Sequence, residues 1–216
     1  MTLLLPAVCP VCGRSLRWGE TALCDGCLAV AAASTPSPRF DLPGIKRLDS
    51  CCSWNSESSN LVRAFKYRYR PRLVEQLLPL VELALAESAL PEVDLILPVP
   101  LHSARRRERG YNQAELLALL LCQLLGAPLH TGNLIRCRYT PSQTRLQRDQ
   151  RKLNVANAFR VLDPASLEGR TLLLVDDVVT TGATLIEIAA LLPPGETFAW
   201  TLVSRVSACD DNDPLE

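Results

Sequence analysis

Between Thr171 and Leu185 the sequence reads TLLLVDDVVTTGATL, and no other stretch restricts the possible folds as much. Thr171 to Val175 form a short apolar run suited to a strand covered on both faces. Two adjacent carboxylates, Asp176 and Asp177, end it, and Thr180, Thr181, Gly182, Ala183 and Thr184 then lead into an apolar helical pattern. Ligands of open α/β sheets bind outside the carboxyl ends of the strands. A helix starting there offers unpaired N–H groups and the positive end of its dipole to a phosphate. The threonines add hydroxyl donors, and Gly182 lets the backbone come close. Carboxylates beside an anion site are odd unless they meet hydroxyls or a cation, and a ribose phosphate accompanied by Mg²⁺ supplies both. The chain lacks the G-x-x-x-x-G-K-[ST] pattern of triphosphate-binding loops, which excludes that class.

The rest of the chain divides around this run. Residues 1–33 are set apart by clustered cysteines, 34–46 read as a linker opened by Ser34-Thr-Pro-Ser-Pro38, 47–209 form the main domain, and 210–216 are an acidic tail. A strand is expected over Arg47–Trp54, then a helix from the N-cap residues Ser56–Ser59 through about Tyr67. Pro71 opens a second helix, with Leu73, Val74, Leu77, Leu78, Leu80 and Val81 at helical spacing. From Asp94 onward strands (Asp94–Val99, Thr171–Val175, Thr197–Val203) alternate with helices (Tyr111–Leu125, Ala183–Leu192). Such alternation predicts an α/β fold, a mainly parallel sheet with helices on both faces. Helix Tyr111–Leu125 is apolar almost all round and is therefore expected to be buried.

Cys9-Pro-Val-Cys12 and Cys24-Asp-Gly-Cys27 are two C-x₂-C pairs separated by eleven residues. Four thiolates in that pattern suit tetrahedral Zn²⁺ in a closed structural site, and a segment this short would draw its folding free energy from the metal. The remaining cysteines, Cys51, Cys52, Cys122, Cys137 and Cys209, read as buried, inert thiols. The odd total of nine and the absence of an export signal favour thiols and metal over disulfides. The longest apolar run, Leu116–Leu125, is shorter than the roughly 20 residues needed to cross a bilayer. No membrane insertion and a cytoplasmic location are the expectations.

Net charge is zero, so nothing global argues for a nucleic-acid or membrane partner. The charges are nevertheless segregated. One basic block runs from Arg63 through Lys66, Arg68 and Arg70 to Arg72, a second holds Arg105, Arg106, Arg107 and Arg109, and a third spans Arg136 to Lys152. Arg105 and Arg109 follow the strand ending Leu97-Pro-Val-Pro100 and are placed to hold a pyrophosphate with fixed guanidinium donors. Asn112 and Gln113 would bond phosphate or cap the helix, and His102 reads as a loop hydrogen-bonder. Gln143, Arg148 and Arg151 lie in a polar stretch suited to closing over a leaving group.

Together these strings resemble the ComF family, the competence-protein-F or amidophosphoribosyltransferase-like group of bacteria. The resemblance rests on the C-P-x-C-G pair, Leu61-Val-Arg63-Ala-Phe-Lys66-Tyr67, Arg107-Glu-Arg109-Gly-Tyr-Asn-Gln113, Gln143 to Phe159, and the D-D-x-x-T-T-G-x-T loop. It implies a type I phosphoribosyltransferase fold joined to a four-cysteine zinc ribbon, binding phosphoribosyl pyrophosphate (PRPP) with Mg²⁺. It also implies a role in DNA uptake during natural transformation or in use of external DNA. By the same resemblance, Asp176 and Asp177 would hold the ribose hydroxyls and Thr180–Thr184 the 5′-phosphate. Two readings stay open. One is a phosphoribosyltransferase, linked to nucleoside metabolism, whose acceptor the sequence does not name. The other is a non-catalytic scaffold that binds single-stranded DNA beside a DNA-translocating helicase.

Overall fold

The computed structural model of the 216-residue chain describes residues 8–9, 11–17, 23–32, 40–67, 73–88, 90–139 and 157–206. Its first half holds α1 (Asp25–Ala32), β1 (Phe40–Leu42), β2 (Ile45–Ser53), α2 (Ser56–Tyr67), α3 (Leu73–Gln76), α4 (Leu78–Ala86) and β3 (Leu95–Pro98). The second half holds α5 (Ser103–Arg109), α6 (Gln113–Leu125), β4 (Leu134–Arg136), β5 (Phe159–Val161), β6 (Thr171–Val179), α7 (Ala183–Ala189) and β7 (Glu196–Ser204).

Five strands make one sheet in the order β1–β2–β7–β6–β3, parallel throughout except for the antiparallel edge strand β1. The α/β class read from the sequence is the observed one. Successive side chains of β6 alternate between two apolar cores, as a strand's period of two requires. Leu173 and Val175 face a layer built from α2, α3, α4 and α6, while Leu172 and Leu174 face α7 and the β4–β5 ribbon. All four are essentially without solvent exposure. Truncating any one to alanine would cost about 2–5 kcal/mol.

Several elements differ in extent from the sequence reading. The helix expected from Pro71 is two short helices, with Leu77 closing a tight turn onto the Val74 carbonyl. Pro79, near the start of α4, lacks the N–H that a continuous helix would need there. The sheet also begins earlier than expected. Phe40–Leu42, within the stretch read as linker, pairs with Ile45–Leu48 through a turn at Gly44. Helix α6 is exposed at Leu119 and Gln123 and half-buried at Glu115, Leu116, Leu124, Leu125 and Cys122, the last expected to be buried. Among the described residues no helix is long and apolar enough to cross a membrane.

The cysteine-rich segment docks on the sheet domain. Cys9, Leu23 and Cys24 belong to the same apolar core as Phe65 and Leu77, and the Leu23 amide donates to Gln76 Oε1 at 2.7 Å. Cys51 and Cys52 are fully buried, as expected. Cys137, expected to be buried, is exposed because it stands just past the end of the narrow β4–β5 ribbon. Cys209 and the acidic tail lie outside the described residues.

Candidate ligand cleft and metal centre

β6 does not stop at the carboxylates. It pairs with β7 through Val179, so Asp176 and Asp177 are part of the strand. Its other neighbour, β3, ends at Pro98 opposite Val175, after which the Val99 amide makes one last bond to the Val175 carbonyl. From Asp176 onward one flank of β6 is therefore uncovered, and the opening forms a cleft of about 340 Å³. That lies at the lower end of the range for small-molecule sites.

The cleft gathers residues from distant parts of the sequence. Asp176, Asp177, Thr180 and Thr184 come from β6 and the loop after it, Arg105 and Arg109 from α5, and Arg63 and Lys66 from α2. Arg136 of β4, Trp54 after β2 and Arg205 after β7 complete the wall. Each of the three basic blocks thus contributes at least one cation. Members that do not reach the cleft behave as surface charge: Arg106 pairs with Glu115 at 3.0 Å and Arg107 is exposed. Gln143, Arg148 and Arg151 lie outside the described residues.

The two carboxylates are electrostatically coupled. The Asp177 amide donates to Asp176 Oδ1 at 2.8 Å, and Lys66 Nζ lies 2.9 Å from Asp177 Oδ2. Burial, then the neighbouring Asp177 charge, pushes the Asp176 carboxyl up to about 7, against the pull of the Asp177 amide, Lys66 and Arg136. A group poised there exchanges its proton readily near neutral pH and gains from any cation delivered to the cleft. Withdrawal from water, together with nearby Arg105, lowers the proton affinity of Arg136, which stays charged nonetheless.

The loop from Thr180 to Thr184 divides its members. Thr180 and Thr184 face the cleft, while Thr181, Gly182 and Ala183 also line a small recess behind it. Thr181 Oγ1 accepts from the Ala183 amide at 3.4 Å. Gly182 has a left-handed φ of 73°, and a Cβ there would lie 2.8 Å from the methyls of Leu42. The backbone thus favours glycine here, and a side chain would in addition oblige the Leu42 methyls to shift.

Within the R-G-Y-N-Q segment, Asn112 and Gln113 line the cleft and also make structural bonds, including the helix cap that was one of the two readings. Asn112 Oδ1 accepts from the Ala114 amide and so caps α6, while its Nδ2 donates to the Val99 carbonyl. Gln113, almost fully buried, donates to the Phe65 carbonyl at 3.2 Å and accepts from Arg109 at 3.1 Å. Tyr111 also donates to the Phe65 carbonyl. The segment therefore fastens the end of α2, and with it Lys66, to the arginine loop. His102 Nδ1 accepts from the Ala104 amide and caps α5, as expected of a loop hydrogen-bonder.

Sequence reading does not single out Trp54, Arg136 or Arg205 as site residues, because their place depends on the sheet order. Arg63 and Lys66 stand out in sequence as charge and within the Leu61–Tyr67 string of the family resemblance, but without an assigned role at the site. Ser59, Val62, Arg63 and Lys66 nevertheless recur at three- and four-residue intervals, a helical stripe distinct from buried Leu61, Ala64 and Phe65, and that pattern is the signal that could have found them.

At the N-terminus the sulfurs of Cys9, Cys12, Cys24 and Cys27 all lie within 4.8 Å of one another, and Cys12 and Cys24 are 3.7 Å apart. A tetrahedral thiolate site with metal–sulfur bonds of about 2.3 Å has edges of about 3.8 Å, so the donor set fits one such ion. Gly13, at a φ of 77°, bonds back to the Cys9 carbonyl and makes the first tight turn. Cys24 stands just before α1, where its sulfur accepts from the Cys27 amide at 3.4 Å. Burial opposes ionisation of Cys24, yet the bonds from Cys27, Cys12 and Arg14 bring its thiol down to about 6. Burial pushes Cys27 up.

Comparison with known proteins agrees with these features. The chain is 38% identical to the DNA utilization protein YhgH of Salmonella typhi over 192 residues, covering 86% of this chain and 83% of that protein. It is 37% identical to competence protein F of Haemophilus influenzae over 141 residues, covering 62% and 61% of the two chains. With competence protein ComFC of Bacillus subtilis it shares 27% identity over 180 residues, or 82% of this chain and 68% of that one. No protein-family model matches. Adenine phosphoribosyltransferase from Leishmania tarentolae is a remote structural neighbour, 15% identical with a TM-score of 0.34 over 82% of this chain and 87% of that one, too distant to inform the chemistry. Through its relatives and the motifs now placed in space, the chain belongs to the ComF family of competence and DNA-utilization proteins.

Proposed function

We propose that the cleft binds PRPP together with Mg²⁺, in a protein that serves the handling of DNA-derived material. The observation that carries this reading is the convergence of Asp176, Asp177, Thr180 and Thr184 with Arg105 and Arg109 around one opening at the sheet's carboxyl edge. The threonine loop would take the 5′-phosphate, the two aspartates the ribose hydroxyls, and the α5 arginines the pyrophosphate. Mg²⁺ prefers oxygen donors, which the aspartates and the ligand supply, and when bound it would neutralise pyrophosphate charge. The DNA-utilization and competence names of the relatives support the biological setting.

Catalysis, where it occurs, would be pentosyl transfer. The protein's share is to hold the ring, expose C1 and neutralise the departing pyrophosphate with fixed guanidinium groups. Structural Zn²⁺ in the four-cysteine centre completes the reading, and thiolates of this kind persist in the reducing cytoplasm, where we place the protein.

Isothermal titration with PRPP and Mg²⁺ tests the site. Wild type should bind, and Asp176→Ala combined with Asp177→Ala should lose at least tenfold in affinity. No heat of binding from wild type would end the proposal. Arg63 and Lys66 share the cleft with the aspartates, so their substitution does not separate PRPP from DNA. Competition does: single-stranded DNA displacing PRPP in a salt-dependent way would favour the scaffold reading.

A further inference from the structure

The cleft continues past the aspartates to a second set of side chains that the PRPP reading leaves unused. Trp54 follows β2 directly, and its amide extends the β2–β7 ladder by bonding to the Ser204 carbonyl at 2.7 Å. Arg205 follows β7 and bonds through its amide to the Val179 carbonyl at 2.9 Å. Both therefore stand at the carboxyl edge of the sheet, one residue beyond their strands. Trp54 is 39% exposed, and the Arg205 guanidinium lies over its ring, 5.5 Å from the centroid. Arg63, exposed on α2, the helix that follows Trp54 in the chain, lines the same cleft. Among the described residues neither Arg63 nor Arg205 forms an ion pair.

Strand order turns this into a direction. Reading from β3 across β6 and β7 to β2, the cleft presents Arg105 and Arg109, then the aspartates and threonines, then Arg205 and Trp54. Neighbouring strands are about 4.8 Å apart, so Trp54 lies about 10 Å from the aspartates, on the side away from the α5 arginines. Substitution at C1 of the ribose breaks the bond to the pyrophosphate oxygen, which leaves with the electron pair. The new carbon–nitrogen bond forms on the opposite face of the ring, and the proton shed by the nitrogen passes to water. If the leaving group sits toward β3, the acceptor must arrive from the β7–β2 side.

We infer that Trp54, Arg205 and Arg63 form the acceptor subsite, and that its ligand is a planar aromatic nitrogen compound carrying a carboxylate or a comparable anionic group. The inference rests on the PRPP reading and names its second substrate class. A partly exposed, flat indole face selects for a flat ring. Two arginines without carboxylate partners among the described residues select for a negative substituent, because a neutral ring would leave both uncompensated once water is displaced. Arg205 holds the indole by its cation–π contact and can turn to the ligand's carboxylate when the ring arrives.

The test uses the full chain as wild type, Trp54→Ala, Trp54→Phe and Arg205→Ala. Each is titrated with nicotinate, orotate and anthranilate as planar acids, with adenine as an uncharged control, and separately with PRPP and Mg²⁺. At least one acid should bind wild type, with adenine at least tenfold weaker. Trp54→Ala and Arg205→Ala should each weaken that acid tenfold or more, Trp54→Phe should retain most of the affinity, and PRPP affinity should change less than threefold in all. The inference is overturned if no acid binds, if adenine binds as well as the acids, or if Trp54→Ala leaves acid binding intact. Loss of PRPP affinity equal to that of the acid would also overturn it, by making these residues part of the sugar-phosphate seat. Binding of a ten-residue oligothymidine through Trp54, without any acid binding, would assign the surface to DNA and likewise end the inference. Failure of wild type to bind PRPP would sink the preceding reading and the acceptor role with it, whereas acid titration of the Trp54 variants would still decide whether the subsite exists.

Discussion

Lys66 Nζ reaches across from α2 to within 2.9 Å of Asp177 Oδ2, so the acid pair already has a counter-ion before any ligand enters. The lysine is held there indirectly: the Phe65 carbonyl beside it receives bonds from Gln113 and Tyr111. Removing the charge leaves two adjacent carboxylates with less compensation. Lys66→Ala should therefore raise the proton affinity of Asp176 further. The readout is a carboxyl ¹³C titration, in which the Asp176 midpoint moves to higher pH than in wild type. An unchanged midpoint would show the ion pair to be unimportant.

Asp176 gives a signed pH dependence. Its carboxyl is raised from the ordinary 3.8 to about 7, chiefly by burial. The native state then binds more protons than the unfolded chain across that window, and stability falls as pH rises from about 4 to about 7. Asp176→Asn removes the penalty. Asp176 is only half-buried, so solvent screening reduces the full effect, leaving roughly 2 kcal/mol at pH 8 and a Tm several degrees higher. The same variant should bind PRPP at least tenfold more weakly. Thermal melts from pH 4 to 8 should show a flatter profile for the variant, and a parallel pair of profiles would refute the assignment.

Gly182→Ala meets two separate obstacles, a left-handed φ of 73° and a Cβ 2.8 Å from the Leu42 methyls. Backbone strain alone costs about 1–2 kcal/mol. The combination Gly182→Ala with Leu42→Ala should recover only the steric part. Denaturant midpoints of the two single variants and the double variant would measure the coupling, and strict additivity would show that the two residues do not interact.

Cys24→Ser should abolish stoichiometric metal, as elemental analysis would show. Because Cys9, Leu23 and Cys24 share a core with Phe65 and Leu77, the damage should spread into α3 and α4. Hydrogen exchange there should accelerate at least tenfold, while β6 and β7 stay protected. Loss of protection confined to residues before 33 would mean that the docking contributes little.

Much of this architecture was legible from local pattern. The strand at Leu172–Val175, the helix ending at Leu125 and the two C-x₂-C turns all depend on periodicity or spacing within a dozen residues, and each is where the sequence placed it. Pro79 broke the helix expected after Pro71 because one missing N–H outweighed the leucine periodicity. The site was legible only for residues that lie within a recognisable motif. Trp54, Arg136 and Arg205 lie in none. Trp54 and Arg205 share a cleft with the aspartates only because β2 and β7 lie between β1 and β6. That adjacency is a property of the whole sheet, which no window of sequence contains.

The ending of β3 at Pro98, opposite Val175 while its neighbour β6 runs on to Val179, has a consequence for what the cleft can admit. Space made by a missing rung has a floor set by backbone pairing, and side chains decorate only the rim. Side chains on the rim can be exchanged, and with them the molecules admitted, while the β6–β7 pairing beneath stays as it is.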